Sequence, residues 1–148
     1  MHIERFTDRD RRVVYTTVTG EITAKEIFAD IKRLSTDPSF DPGMAGFVDM
    51  RKATAHLAAN EIQRIAYIVK TNPRIAGPTR RALLVSTDLL YGIYRMFEAY
   101  AAGGPTDYRV FRNEQEAREW INPATAQVSS PAQAAAIAAT VSAPRVRN

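Results

Sequence analysis

The chain has 148 residues, of which 45% are hydrophobic and 24% charged, and this content suits one globular domain with a substantial core. It has no cysteine, which excludes disulfides, thiolate catalysis and cysteine-ligated metal clusters. The formal net charge is +4, but two of the 20 basic residues, Arg145 and Arg147, lie beyond position 121. That leaves 18 basic against 16 acidic groups, a weak surplus for binding phosphates, so we expect no nucleic-acid partner.

The first third of the chain predicts a hairpin followed by a helix. Residues 3–6 and 13–18 are rich in β-forming side chains and flank a polar segment, which favours antiparallel pairing. Both faces of the second strand carry β-formers, so we expect it inside the sheet, ending at Gly20. Thr23 and Glu26 match a capping box that opens a helix. The apolar face of this helix consists of Ile27, Ile31 and Leu34.

The remainder alternates strands with helices. Residues 45–50 form a short apolar run, 60–70 a helix with one apolar face, and 80–86 a strand that is continuously apolar at 82–85. A third helix extends to about residue 100, and residues 107–121 are a strand leading into a helix capped by Asn113. The order β-β-α-β-α-β-α-β-α predicts an α/β fold with a mixed, mostly parallel five-stranded sheet flanked by helices.

Two further expectations concern the ends of the chain. Residues 1–5 lack an apolar signal-like core, and no apolar run approaches the roughly 18 residues that span a bilayer. We therefore expect a cytoplasmic protein that is not an integral membrane protein. From residue 122 the composition shifts to Ala, Ser, Pro, Thr and Val, so we assign 1–121 to the domain and 122–148 to a tail, either disordered or one marginal helix.

Three stretches carry a family resemblance: Gly-Glu-Ile-Thr at 20–23, Phe-Val-Asp-Met at 47–50, and Tyr-Arg-Val-Phe-Arg at 108–112 leading to Glu-Ala at 116–117 and Trp-Ile at 120–121. With the element order they resemble the SpoIIAA-like proteins, small bacterial relatives in fold of the STAS and Sec14/CRAL-TRIO domains. The resemblance covers about residues 3–121. It implies a mixed sheet flanked by helices, dimerisation in several members and no established enzymatic role.

Phosphoswitching STAS proteins carry an Asp-Ser pair, usually followed by a small residue and glycine, between the third strand and second helix, where added charge alters partner binding. The corresponding residues 49–56 contain neither serine nor glycine. Thr54 is the only hydroxyl available there, and we expect no phosphorylation switch.

Signatures of catalysis and of metal binding are missing. His2 and His56 lack the spacing of a metal site, and neither a nucleophile elbow nor a phosphate-binding loop occurs. We therefore expect no metal, no cofactor, no catalytic residue and no enzymatic activity. The arginines around the hairpin and at the start of the fourth strand are interpreted as solvated, partly self-paired sheet edges: Arg5, Arg9, Arg11, Arg12, Arg80 and Arg81.

Asp49 and Arg51 form the best charged pair. Asp49 is placed at the end of a buried strand, and the carboxyl ends of parallel strands border ligand crevices in open α/β sheets. The alternative is a structural carboxylate that accepts backbone amides or pairs with Arg51.

The third helix has an unusually wide apolar surface. Leu89, Ile93, Met96 and Tyr100 form one stripe, widened by Leu90, Tyr94 and Phe97. The arc of about 220° exceeds the roughly 100° that a one-sided helix needs, so the protein's own core, a second subunit or an apolar ligand must cover the excess.

The leading hypothesis is a non-enzymatic STAS-like interaction or regulatory module that binds a partner protein or a second copy through the third helix and nearby loops. The alternative is a carrier or sensor for a lipid or other apolar small molecule. The candidate binding residues for either are Asp49, Arg51, Tyr91, Ile93, Tyr94, Met96 and Phe97.

Overall fold

The computed structural model describes residues 1–122, and it has the predicted order of five strands and four helices. In chain order the elements are β1 (His2–Asp8), β2 (Val13–Thr23), α1 (Ala24–Thr36), β3 (Ala45–His56), α2 (Ala59–Thr71), β4 (Thr79–Leu84), α3 (Asp88–Ala101), β5 (Thr106–Phe111) and α4 (Glu114–Ile121). Beyond Asn122, the predicted tail lies outside the described residues.

The strands lie in the sheet in sequence order, with β1 antiparallel to β2 and every later pair parallel. The predicted mixed, mostly parallel sheet is confirmed. Each parallel crossover advances in the same direction, and right-handed crossovers therefore put α1, α2 and α3 on one face of the sheet. The helix α4 packs on β3, β4 and β5 from the other face.

Each face has its own core. The larger core lies between the sheet and α1–α3 and includes the residues of α2 predicted to face inward: Ile62, Ile65, Ala66 and Val69. The smaller core joins α4 to the back of the sheet through Phe47, Leu84, Phe111, Ala117 and Ile121. Residues 82–85 are all buried, as expected for a strand covered on both faces.

Three of the four helices begin at side-chain caps. The oxygens of Thr23, Thr87 and Asn113 accept the backbone N–H of the residue three positions later, at 3.4, 3.2 and 2.9 Å. The Glu26 carboxylate does not complete the predicted capping box, because it contacts the Met1 amino group at 2.8 Å.

The strand β1 is slightly longer than predicted, β2 and β3 extend well past their predicted C-terminal ends, and β4 ends at Leu84, two residues before its predicted end. The strand β2 continues past Gly20, which adopts a φ of +82°, after the β2–β3 register shifts between Thr17 and Thr19. The strand β3 continues past Met50 to His56 because residues 52–56 pair with residues 19–23 of β2. The predicted ends at Gly20 and Met50 are therefore wrong. Among residues 1–122, no helix is long and apolar enough to cross a membrane.

Candidate functional site

A cavity of about 210 Å³ lies between the sheet and the helices α1–α3. Its walls are mostly aliphatic, with Val14 and Val48 on the sheet side and Ile31 and Ile93 on the helix side. A cavity that meets so few polar side chains favours apolar occupants over water.

The cavity follows from the way α1 sits on the sheet. Within α1 only Ala24 and Asp30 are fully buried. The predicted inward face, Ile27, Ile31 and Leu34, packs against the core but stays half-buried and lines the cavity. The interior therefore has unfilled space beneath α1, where apolar side chains lack partners.

Arg81 lines one end of the cavity. Register pairs align Val14, Gly46, Arg81 and Tyr108 in one row across β2–β5, near the N-terminal ends of the parallel strands. Arg81 Nη1 donates to the Tyr108 hydroxyl at 2.9 Å, and Nη2 donates to the carbonyl oxygens of Pro42 and Ile75 at 3.1 and 2.7 Å. Arg81 thus ties the β3 and β4 entry loops to the sheet.

Two hydroxyls that line the cavity lack a side-chain hydrogen bond within residues 1–122. Thr16 is 8% exposed and Tyr94 is 9% exposed. Every fully enclosed polar side-chain atom in this part of the chain has a partner, so both hydroxyl oxygens must border open space. Burial raises the pKa of Tyr94, which keeps its hydroxyl neutral and able to donate.

An ion pair forms the wall beside β1. Arg5 donates from Nη1 to Asp30 Oδ1 at 2.9 Å and also from Nη2 to Oδ2, which joins the edge strand to α1. Arg33 approaches the same buried carboxylate at 3.3 Å. The charged side chains of the lining are Arg5, Arg81 and Asp30, which give a formal charge of +1.

Comparisons with known proteins bear on the fold. No protein-family model matches the sequence, and no curated protein is significantly similar. A solved structure is similar: an uncharacterised DUF3478-family protein with a SpoIIAA-like fold from Shewanella loihica PV-4, at 2.25 Å resolution. The TM-score is 0.51 and the identity 14%, over 81% of this chain and 92% of that chain.

The chain has a SpoIIAA-like fold. The resemblance inferred from the sequence is confirmed at this level. At this identity the similarity shows the fold alone, so any function must be argued from the side chains.

In this SpoIIAA-like fold, three of the five candidate residues on α3 reach the cavity: Ile93, Tyr94 and Phe97. Met96 is instead 38% exposed. Tyr91 is half-buried, and the Arg112 guanidinium lies 4.6 Å from its ring centroid. The apolar residues of α3 thus lie partly in the core, partly at the cavity and partly at the surface.

Asp49 and Arg51 lie on the α4 side of the sheet, away from the cavity. The Arg51 guanidinium donates to both Asp49 oxygens at 3.0 and 2.8 Å and contacts Glu114 at 2.9 Å. Hydrogen bonds from Arg51 hold the pKa of the Asp49 carboxyl below its usual range. Asp49 lies inside β3, so its predicted position at a strand end is wrong, and the pairing interpretation describes its contacts.

The remaining candidates stand apart from the cavity. Thr54 is exposed in β3 opposite Glu21, because the predicted loop at 51–56 is strand. His2 lies 3.2 Å from Glu4 at the surface, and His56 ends β3. Within residues 1–122, no group of three or more His, Cys, Asp or Glu side chains could hold a metal ion.

Sequence reasoning missed most of the polar residues that line the cavity: Arg5, Thr16, Asp30, Arg81 and Tyr108. Arg5 and Arg81 were expected on solvated sheet edges. Arg5 instead pairs with Asp30 of α1, and Arg81 lies over the sheet and donates to the Pro42 carbonyl. A usable signal for Arg81 is the alternation of β4, because residues 81, 83 and 85 share the face that α1–α3 cover.

Proposed function

We propose that this protein binds an apolar small molecule in the cavity beneath α1 and acts as its carrier or sensor, without catalysing a reaction. The observation that carries the proposal is the 210 Å³ cavity with aliphatic walls. Apolar concave sites with a few convergent polar groups are the usual form of small-molecule sites.

The energetics favour filling this space. Apolar side chains that face unfilled space lose van der Waals contacts with neighbouring atoms. A ligand that supplies the missing contacts therefore stabilises the folded state.

The volume limits the ligand. An apolar cavity of about 150 Å³ accommodates benzene, so 210 Å³ encloses roughly eight to ten non-hydrogen atoms. The cavity is partly open, so a molecule of about twelve non-hydrogen atoms can bind with one or two of them outside the enclosed volume. Drug-sized sites measure about 300–1,000 Å³. The cavity suits a single ring or a medium-length chain better than a whole phospholipid.

The lining supports binding rather than catalysis. Among residues 1–122, Asp30 supplies the only carboxylate that lines the cavity, and Arg5 and Arg33 already hold it. A general base needs a carboxylate or imidazole free to take a proton. We also propose a cytoplasmic location, since a chain without cysteine suits a reducing compartment.

The test is a thermal-shift series with toluene, naphthalene and 1-decanol, checked by native mass spectrometry. A ligand present at 100 times its Kd should raise the Tm by about 5–10 °C. Val48→Phe places a ring in the cavity and should abolish the shift, whereas Ile68→Phe, outside the cavity on α2, should preserve it. If no compound shifts the Tm of the wild type or forms an adduct, the proposal fails.

A second candidate is the interaction hypothesis reached from the sequence. Leu89, Met96 and Tyr100 are 65%, 38% and 41% exposed and lie along one side of α3. Contiguous exposed apolar side chains often mark interaction sites. This stripe supports binding of a second copy or a partner protein through α3.

Size-exclusion chromatography with light scattering tests whether the protein binds a second copy of itself, and a pull-down tests whether it binds a partner protein. A combined Leu89→Ser, Met96→Ser variant should lose the association while leaving the cavity, which neither residue lines, intact. If the wild type is a strict monomer and the Leu89→Ser, Met96→Ser variant retains every partner in the pull-down, the interaction hypothesis is ruled out.

A further inference from the structure

Arg81 has no carboxylate partner within the described part of the chain. Its guanidinium lines the cavity and donates to the Tyr108 hydroxyl and two carbonyls. It also lies 5.8 and 5.7 Å from the ring centroids of Phe40 and Tyr108, but it makes no ion pair in residues 1–122. Arg5, the other cationic side chain of the lining, has Asp30. A partly desolvated cation without a counter-ion favours an anion beside it.

Donors remain for such an anion. An arginine has five N–H hydrogens, and the three bonds from Arg81 leave two without acceptors in residues 1–122. The Tyr108 oxygen accepts from Arg81, so the hydroxyl hydrogen of Tyr108 is left to donate. Hydrogen bonds to an ionised acceptor are roughly twice as strong as neutral ones. A carboxylate, which only accepts, fits this end of the cavity.

The opposite end of the cavity is apolar. It is lined by Ile22, Met50 and Leu57, toward the C-terminal ends of β2 and β3. Gly46, beside Arg81, and Met50 are four residues apart on β3, a distance of about 13 Å at the rise of an extended strand. That span approximates an extended chain of ten carbons. The cavity thus has a cationic end and an apolar end.

We propose that the ligand is an amphipathic acid, a medium-chain fatty acid of about ten carbons. Its carboxylate accepts hydrogen bonds from Arg81 and Tyr108, and its chain lies beneath α1 toward Met50 and Leu57. This inference rests on the proposed function and adds the class of ligand that the same cavity takes.

Titration calorimetry with decanoate and 1-decanol, below micelle-forming concentrations, tests the inference because the two differ only in the head group. We expect wild type to bind decanoate at least tenfold more tightly than decanol. Arg81→Met should abolish that preference while keeping the decanol affinity within about threefold. Arg109→Met removes the same charge on the other face of the sheet, where it lies over Phe111, and should keep the preference.

A second variant is needed because Arg81→Met could also impair folding, since Arg81 donates to two loop carbonyls. Tyr108→Phe keeps the ring and should reduce decanoate affinity about threefold to tenfold without changing that for decanol. If wild type binds both equally, or if Arg81→Met and Tyr108→Phe both keep the preference, the inference is wrong while the apolar-ligand proposal stands. If toluene, naphthalene, decanol and decanoate all fail to bind, the proposed function itself fails.

Discussion

The Arg81 side chain lies directly over the backbone of Gly46 on the neighbouring strand. A Cβ at position 46 would come within 2.9 Å of Arg81 Cγ, closer than real Cβ contacts allow. A glycine inside a strand usually weakens it, and here it permits close approach of another chain segment. The absent side chain allows Arg81 to cross β3 and reach the Pro42 carbonyl.

Gly46→Ala should therefore displace Arg81. The methyl group limits the freedom of the unfolded chain, but overpacking costs about 1–3 kcal/mol, so we expect a net loss of about 1–2 kcal/mol in the free energy of unfolding. Gly92→Ala on α3 is the control, because a Cβ there meets no atom within 4 Å. It should gain about 0.5–1 kcal/mol. Equal gains for both variants in urea denaturation would contradict the steric argument.

Tyrosine-to-phenylalanine changes at two cavity positions should have opposite effects. Tyr94→Phe removes a buried hydroxyl that has no hydrogen bond in residues 1–122, so stability should stay level or rise by up to about 1 kcal/mol. Tyr108→Phe removes the acceptor for Arg81 Nη1 and should cost about 1–2 kcal/mol. Chemical denaturation of both ligand-free proteins gives the comparison. A loss in Tyr94→Phe as large as in Tyr108→Phe would show that the Tyr94 hydroxyl has a stabilising partner.

Much of the fold could be predicted because its signals are local. The cap at Asn113, the continuous apolar run at 82–85 and the inward face of α2 each lie within a few consecutive residues. The extension of β3 to His56 has no such signal. Residues 52–56 are strand because β2 supplies their hydrogen bonds, and that pairing joins segments more than 30 positions apart in the chain.

The candidate site could be predicted only in part. The excess width of the apolar arc on α3 pointed to Ile93 and Phe97, both of which line the cavity. No residue pattern encodes how far α1 stands from the sheet, so the cavity itself could not be foreseen. Arg81 was missed because a charged residue at the start of a strand is usually solvated.

The ion pair between Arg5 and Asp30 should contribute more to stability than the exposed contact between Arg33 and Asp30. Asp30→Asn removes the charge of the buried carboxylate that the partly exposed Arg5 guanidinium holds, and we expect a loss of about 2 kcal/mol. Arg33→Met breaks only the exposed contact to the same carboxylate and should cost less than about 0.5 kcal/mol. Urea denaturation of both variants measures the difference. Equal losses would mean that β1 and α1 are not held together by Arg5 and Asp30.

Acidification should show how much the pair between Asp49 and Arg51, on the α4 side of the sheet, contributes to stability. Arg51 lowers the pKa of Asp49 below 3.8, so the folded protein binds that proton less tightly than the unfolded chain. The stability from Asp49 is therefore complete above about pH 4 and is lost as the pH falls through the lower folded pKa. Asp49→Asn should be less stable than wild type at pH 7, by up to about 1 kcal/mol because the pair is partly solvated. The two should converge once the pH falls below the folded pKa of Asp49.

Arg51→Met provides the reciprocal measurement, since it removes the group that lowers the pKa of Asp49. Its deficit relative to wild type should also shrink on acidification, and the double variant should lose less than the sum of the single losses. Urea midpoints at several pH values between 2 and 7 give these differences. If the Asp49→Asn deficit is the same at both ends of the range, the carboxylate acts through its shape or backbone hydrogen bond, and its charge contributes nothing to stability.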